Sequence, residues 1–329
     1  MRRIVSVRLR RHAMPARDKL QSRGEWRMGF FLNGQQPRAP SLRDLLAGPE
    51  PILAPGAYDA LSARLIEAAG FRAVYMTGFG TAASLLGRPD VGLLGMSEMV
   101  DNARRIVQAV GVPVIADADT GYGNPISVIR TVHEYEQAGV AAIHIEDQLA
   151  PKKCGHMDGK QLVPAEDMVA KLRAAVAARR SDLVLIARTD ARALEGLNDA
   201  LRRARLYRDA GADVIFFEAP QTEEEIETVA AELSDVPLLF NWAEGGKTPP
   251  IRYQRLRALG FRIIIFPIST LLAATRGIRQ VLETIRADGT PVAALSGLPR
   301  FDEFTDFIGL PEIQELEQQF SSLPVQTRS

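Results

Sequence analysis

The stretch SVIRTVHEYEQAGVAAIHIED, residues 127–147, changes periodicity at a single glycine. Before Gly139 its apolar residues recur at helical spacing. After it the run is β-branched and apolar almost throughout, as in a parallel strand buried on both faces. Glycine takes most easily the left-handed conformation that ends a helix. The same helix-to-strand junction is expected at Gly70-Phe71, Gly111-Val112, Gly211-Ala212 and Gly260-Phe261.

Working outward, eight such apolar runs can be counted: PILAPG (51–56), AVYMTG (73–78), PVIADAD (113–119), AAIHIED (141–147), LVLIARTD (183–190), DVIFFEAP (213–220), PLLFNW (237–242) and RIIIFPIS (262–269). Amphipathic segments such as YDALSARLIEAAG and LNDALRRARLYRDAG separate them. Eight strands alternating with helices over about 250 residues predict a (β/α)8 TIM-type barrel in the α/β class. A doubly wound open sheet is the competing arrangement, but no Gly-rich dinucleotide loop follows the first strand. The reading assigns residues 46–290 to the barrel and 291–329 to a helical tail. In the tail, SGLPRFDEFTDFIGLP reads as a break and EIQELEQQF as a short amphipathic segment.

Composition narrows the function classes. The 329 residues are 46% hydrophobic and 24% charged, with 40 Lys plus Arg against 40 Asp plus Glu. No overall charge argues for nucleic acid or a membrane surface. No apolar run approaches the ~20 residues of a membrane span, and the single cysteine suits a reducing, cytoplasmic setting. Residues 1–45 read as a basic, flexible leader, with ten Lys or Arg before residue 40. A translation start at Met14 or Met28 is an alternative for it. His12, His133 and His144 are expected in leader, helix and strand, without a functional role.

In a barrel of this kind the strand C-termini form the active face. There the runs place Tyr75, Thr77, Asp117, Asp119, Glu146, Asp147, Arg188, Glu218 and Asn241. One acid at a strand end reads as a helix N-cap or a solvated group. Five carboxylates converging on one pocket instead call for a hard cation, which Mg²⁺ with carboxylates, waters and substrate oxygens fits. Asp117 and Asp119, two apart on a strand, are expected on one side, and Arg188 offers a planar fork for a substrate carboxylate. The only cysteine, Cys154, lies in APKKCGHMDGKQLV (150–163), where Lys152, Lys153 and His156 are expected to stabilise a thiolate.

DADTGYGN, IEDQ, KKCGH, IARTDA and NWAEGGKTP, in this order on successive strands, resemble the isocitrate lyase and phosphoenolpyruvate mutase superfamily. The resemblance covers about residues 50–300. It implies a metal site of Asp90, Asp117, Asp119 and Glu146 for Mg²⁺ or Mn²⁺, with Asp117 the direct ligand and the others acting through water. It also implies binding of a small carboxylate substrate by Tyr75, Thr77, Gly78, Lys153, Gly155, His156, Arg188, Asn241 and Pro267, and catalytic roles for Cys154, Tyr75, Arg188 and Glu218. A homotetramer exchanging C-terminal helices would employ the tail. KKCGH is similar to the carbon–carbon lyases of the superfamily rather than the phosphonate mutases, with Cys154 as acid. NWAEGGKTP resembles the lyases of alkylated malates rather than the methylisocitrate lyases, and Pro267 resembles the lyases rather than the oxaloacetate hydrolases.

Overall fold

The computed structural model describes residues 40–321; most of the basic leader and residues 322–329 lie outside the described residues. Eight strands form a closed parallel barrel in sequential order: β1 (Ile52–Ala57), β2 (Val74–Met76), β3 (Val114–Asp117), β4 (Ala142–Glu146), β5 (Val184–Thr189), β6 (Val214–Phe217), β7 (Leu238–Asn241) and β8 (Phe261–Phe266). Closure is made by β1 on β8, with Ile52 opposite Ile263 and Ala54 opposite Ile265. Before and between the strands run α1 (Leu42–Ala47), α2 (Ala60–Ala68), α3 (Gly78–Leu86), α4 (Met96–Ala109), α5 (Pro125–Ala138), α6 (Ala165–Ala178), α7 (Gly196–Asp209), α8 (Glu223–Glu232) and α9 (Tyr253–Ala258). After β8 come α10 (Ser269–Asp288), α11 (Phe301–Phe307) and α12 (Leu310–Phe320).

The junction at Gly139 behaves as its residue type dictates. Asn124 caps the start of α5 with its side chain, and Gly139 ends the helix at φ 86°. Gly70, Gly211 and Gly260 also have positive φ. Gly111 does not: α4 ends one residue earlier on extended Val110, and the Gly111 N–H donates to Glu67.

Successive strand residues point to opposite faces. Val74, Met76, Ile143, Ile145 and Leu185 therefore join the large core between sheet and helices. Tyr75, Ile115, Ala142, Ile186, Phe216, Leu239 and Ile265 fill the barrel interior with Leu42 and Leu45 of α1. Arg43 fastens α1 at the strand N-terminal end by pairing with Asp213 at 3.2 Å and donating to the Leu183 carbonyl at 3.1 Å. The expected leader boundary at residue 45 thus falls inside α1, whose Leu42 and Leu45 are buried.

Among the described residues, 40–298 form one compact unit and 299–321 belong to a second. The segment read as a break contains α11. The strands end one to three residues before most of the apolar runs do, and this corrects the placement of Asp119: β3 stops at Asp117, and Asp119 sits in a left-handed turn at φ 47°. No helix among the described residues is long and apolar enough to cross a membrane.

Candidate active site

The alternation that fills the barrel also builds the site. Two residues past interior Tyr75, Ile115, Ile186, Phe216, Leu239 and Ile265 come Thr77, Asp117, Arg188, Glu218, Asn241 and Pro267. All six line a cavity of about 180 Å³ at the strand C-termini. Interior Ala142 is followed by His144 and then Glu146 on the same face. Asp147, one residue on, points outward: it accepts from Thr189 and Tyr207 at 2.8 Å and pairs with Arg203 at 3.3 Å. It is the one strand-end acid of the five that does not join the others.

The cavity is lined as well by Tyr75, Asp90, Lys153, Cys154, Gly155 and His156. Gly78, Asp119 and Glu146 do not line it but stand directly behind residues that do. Gly78 N–H donates to Asp117 Oδ2 at 3.2 Å, and Asp119 N–H donates to Asp117 Oδ1 at 2.9 Å. Glu146 Oε2 lies 3.2 Å from Arg188 Nη1.

Arg188 is held rigidly. Its Nε and Nη2 bind both oxygens of Asp190 at 2.9 and 3.0 Å, and its guanidinium lies 5.0 Å from the centre of the Phe216 ring. Burial works against its charge, but Asp190, Glu146 and Glu218 outweigh this and hold its pKa well above the usual arginine range. Tyr75 Oη lies 2.8 Å from His144 Nε2. Burial pushes His144 down to about 4, so the ring is neutral. Burial, reinforced by Asp117, pushes the Tyr75 hydroxyl well above its ordinary value and makes it a proton-bearing donor.

On the acidic side, Lys152 Nζ stands 2.7 Å from Asp90 and 2.6 Å from Asp119. Burial disfavours its charge, yet Asp119, Asp117, Asp90 and Glu146 together hold it firmly protonated. Burial, with Asp117 and Asp90 nearby, raises Asp119 to about 6 despite Lys152. The expectation that Lys152 stabilises a thiolate is therefore corrected: its charge is committed to the acids. Burial pushes the Cys154 thiol up to about 11; the His156 N–H and Arg188 oppose this, and Asp90 and Glu218 add to it. Cys154 is a protonated thiol at neutral pH.

The four acids suit a hard divalent cation in donor type, being oxygen ligands crowded around the ammonium of Lys152. Glu146 Oε1 is buried with no hydrogen-bond partner among the described residues. Among those residues no three acid, His or Cys side chains are close enough for direct coordination.

The Cys154 loop lies over Arg188 and Glu218. The Cys154 N–H donates to the Asp90 carbonyl at 3.1 Å. His156 Nδ1 accepts the Lys247 N–H at 3.1 Å, which places the ring proton on Nε2, 3.1 Å from Glu218 Oε1. Asn241 Nδ2 donates to the same carboxylate at 3.2 Å. Sequence reasoning missed His144, read as plain strand, and the anchoring roles of Lys152, Gln148, Lys160 and Asp190. The acids these residues meet are distant in sequence; only the position of His144, two residues before Glu146, marked it as interior.

Comparison with known proteins gives the class first. The family described as phosphoenolpyruvate phosphomutase matches residues 42–286, and the chain belongs to the phosphoenolpyruvate mutase/isocitrate lyase superfamily of enzymes. More particularly, it is 47% identical over 285 residues to 2,3-dimethylmalate lyase of Eubacterium barkeri, covering 86% of this chain and 98% of that one. It is 45% identical over 280 residues to 2-methylisocitrate lyase of Aeropyrum pernix, covering 85% and 90%. A structure of oxaloacetate acetylhydrolase with 3,3-difluorooxalacetate superposes with a TM-score of 0.81 at 42% identity, covering 85% of this chain and 96% of that one.

Proposed function

We propose that the protein is a Mg²⁺-dependent carbon–carbon lyase that cleaves a 2-hydroxy dicarboxylate of the 2,3-dimethylmalate type, or the related tricarboxylate 2-methylisocitrate, to an α-keto acid such as pyruvate and a second carboxylate. The observation that carries this reading is the thiol of Cys154 lining the same cavity as Arg188 and Glu218, with burial raising its pKa so that it keeps its proton.

In this scheme Arg188 binds a substrate carboxylate, with Thr77, Gly78, Lys153, Gly155, His156, Asn241 and Pro267 shaping the site. Glu218 takes the C2 hydroxyl proton, and Tyr75 donates a hydrogen bond to the oxygen that becomes the carbonyl. As that carbonyl forms, the C2–C3 bond breaks and its electron pair stays on C3. Cys154 passes its proton to C3 and recovers one from solvent. Asp117, assisted through water by Asp90, Asp119 and Glu146, would hold Mg²⁺ or Mn²⁺, which supplies Lewis-acid stabilisation of negative charge on the substrate. The likeness to oxaloacetate acetylhydrolase supports a second reading, hydrolysis of oxaloacetate to oxalate and acetate. Pro267 and the 47% identity to a dimethylmalate lyase favour cleavage over it. A phosphonate mutase stands third because of Cys154.

We also propose a homotetramer that covers α10, whose Ile278, Leu282 and Ile285 repeat at helical spacing and are 59%, 57% and 38% exposed. Sedimentation as a monomer would remove that part. The activity is tested by incubating the protein and Mg²⁺ with 2,3-dimethylmalate, 2-methylisocitrate, isocitrate, oxaloacetate and phosphoenolpyruvate, following keto-acid and oxalate formation. Keto acid from the first or second substrate is expected; consumption of oxaloacetate or phosphoenolpyruvate alone overturns the lyase reading.

A further inference from the structure

Two buried polar side chains beside the Cys154 loop have no part in the bond cleavage. Gln148 is 1% exposed and Lys160 is 6% exposed, and neither lines the cavity. A buried ammonium is costly unless it is paired and hydrogen-bonded, so the partners of Lys160 indicate what it is for. Its Nζ donates to the Gly155 carbonyl and lies 3.2 Å from Asp190 Oδ1. The Gln148 carboxamide faces the backbone of Lys153, donating to its carbonyl at 2.8 Å and accepting its N–H at 2.9 Å. The residues on both sides of Cys154 are thus gripped by buried side chains from outside the segment between them.

The Lys160 grip reaches the carboxylate of Asp190, and Gln148 favours the charge of the same group. Asp190 is the residue that clamps Arg188 through both its oxygens. Asp190 is itself fixed from beneath, because its N–H donates to Asp147 at 2.9 Å. A shift of the loop at Gly155 is therefore transmitted through Lys160 to the partner of Arg188, and a shift of Arg188 is transmitted back.

We propose that Gln148, Lys160 and Asp190 are positioning residues that tie the seating of the Cys154 backbone to the pose of the Arg188 guanidinium, so that proton donor and carboxylate anchor come into place together. The proposal rests on the lyase reading for its purpose, and its geometry is independent of it. Lys160→Met keeps the aliphatic stem and removes the ammonium, leaving the Arg188–Asp190 clamp intact. The loop loses its hold at Gly155.

Because Cys154 is the only cysteine of the chain, alkylation by iodoacetamide reads that loop and nothing else. In the Mg²⁺-loaded enzyme without substrate, Lys160→Met is expected to alkylate about tenfold faster than the unmodified protein, the change in opening expected on losing a hydrogen bond to a charged group. Its kcat falls about 100-fold, with KM within about threefold, because the thiol is misplaced and not the carboxylate anchor. Lys160→Arg, which restores charge and donors, recovers part of both. Unchanged alkylation overturns the proposal whatever happens to kcat, and so does faster alkylation with unchanged kcat. If thermal melting shows that Lys160→Met does not fold, Gln148→Met is judged by the same two readouts. If no substrate is turned over by the unmodified protein, the lyase reading fails on its own and the alkylation rates decide whether the loop is held in this way.

Discussion

Gly155→Ala is the smallest change that separates the seating of the thiol from its chemistry. A Cβ at Gly155 would lie 2.5 Å from both Arg188 Nη2 and Glu218 Oε1, 0.9 Å inside the 3.4 Å at which ordinary contact begins. Neither neighbour can step aside cheaply. Asp190 holds Arg188 by two hydrogen bonds, and His156 and Asn241 hold Glu218. The loop must rise instead, by about 1 Å, a misplacement that costs about 100-fold in rate, or about 2.7 kcal/mol of transition-state stabilisation. Gly155 does not adopt a positive φ, so alanine introduces no backbone strain. The assay compares kcat on the best substrate with the melting temperature. A kcat reduced about 100-fold with melting within about 2 °C is expected. Wild-type kcat in Gly155→Ala would show that the loop does not close on Arg188 and Glu218 during turnover.

Other perturbations reach different parts of the site. Asp117→Asn should abolish Mg²⁺-dependent activity, and chelation should do the same reversibly in the unmodified enzyme; turnover that persists in excess chelator would remove the metal from the reaction. The Cys154 proton should leave near pH 11 rather than near 9, read as thiolate absorbance at 240 nm. Because the folded state holds this proton more tightly than the unfolded chain, the thiol lowers stability only as pH rises from about 9 to about 11, and contributes no pH dependence at neutrality. An apparent pKa at or below 9 would contradict a half-buried proton donor. Arg203→Met leaves the fully buried Asp147 with neutral donors only and should cost about 3 kcal/mol in urea unfolding; a loss below about 1 kcal/mol would show that the pair is dispensable.

The barrel was legible because parallel strands buried on both faces leave unbroken apolar runs, and a left-handed glycine at Gly70, Gly139, Gly211 and Gly260 marks where four of the helices give way. Strand ends were less so. Asp119 continues the apolar pattern of PVIADAD but belongs to a left-handed turn that only the acids and Lys152 around it specify. IED put two acids side by side, and the pleat sends Glu146 inward to Arg188 and Asp147 outward to Arg203 and Tyr207, a division that two-residue alternation could have given. Residues 42–45, the first four of α1, were placed with the leader because a six-residue helix has little periodicity to show; its place under the barrel depends on Leu42, Leu45 and the reach of Arg43 to Asp213. Lysines in a loop read as solvated. The burial of Lys152 and Lys160 follows from Asp90, Asp119 and Asp190, which no local pattern connects to them. For Cys154 the motif and the role of an acid were visible, whereas the effect of its charged neighbours was not: Lys152, Lys153 and His156 suggested a stabilised thiolate, and burial in the folded protein raises the thiol pKa instead.

Whether Cys154 delivers the proton to C3 is decided by Cys154→Ser. The hydroxyl keeps the shape of the side chain and is a far weaker acid, so turnover should fall about 10²- to 10⁴-fold, while calorimetry shows substrate and Mg²⁺ binding close to those of the unmodified enzyme. Full turnover in Cys154→Ser would take the thiol out of the mechanism.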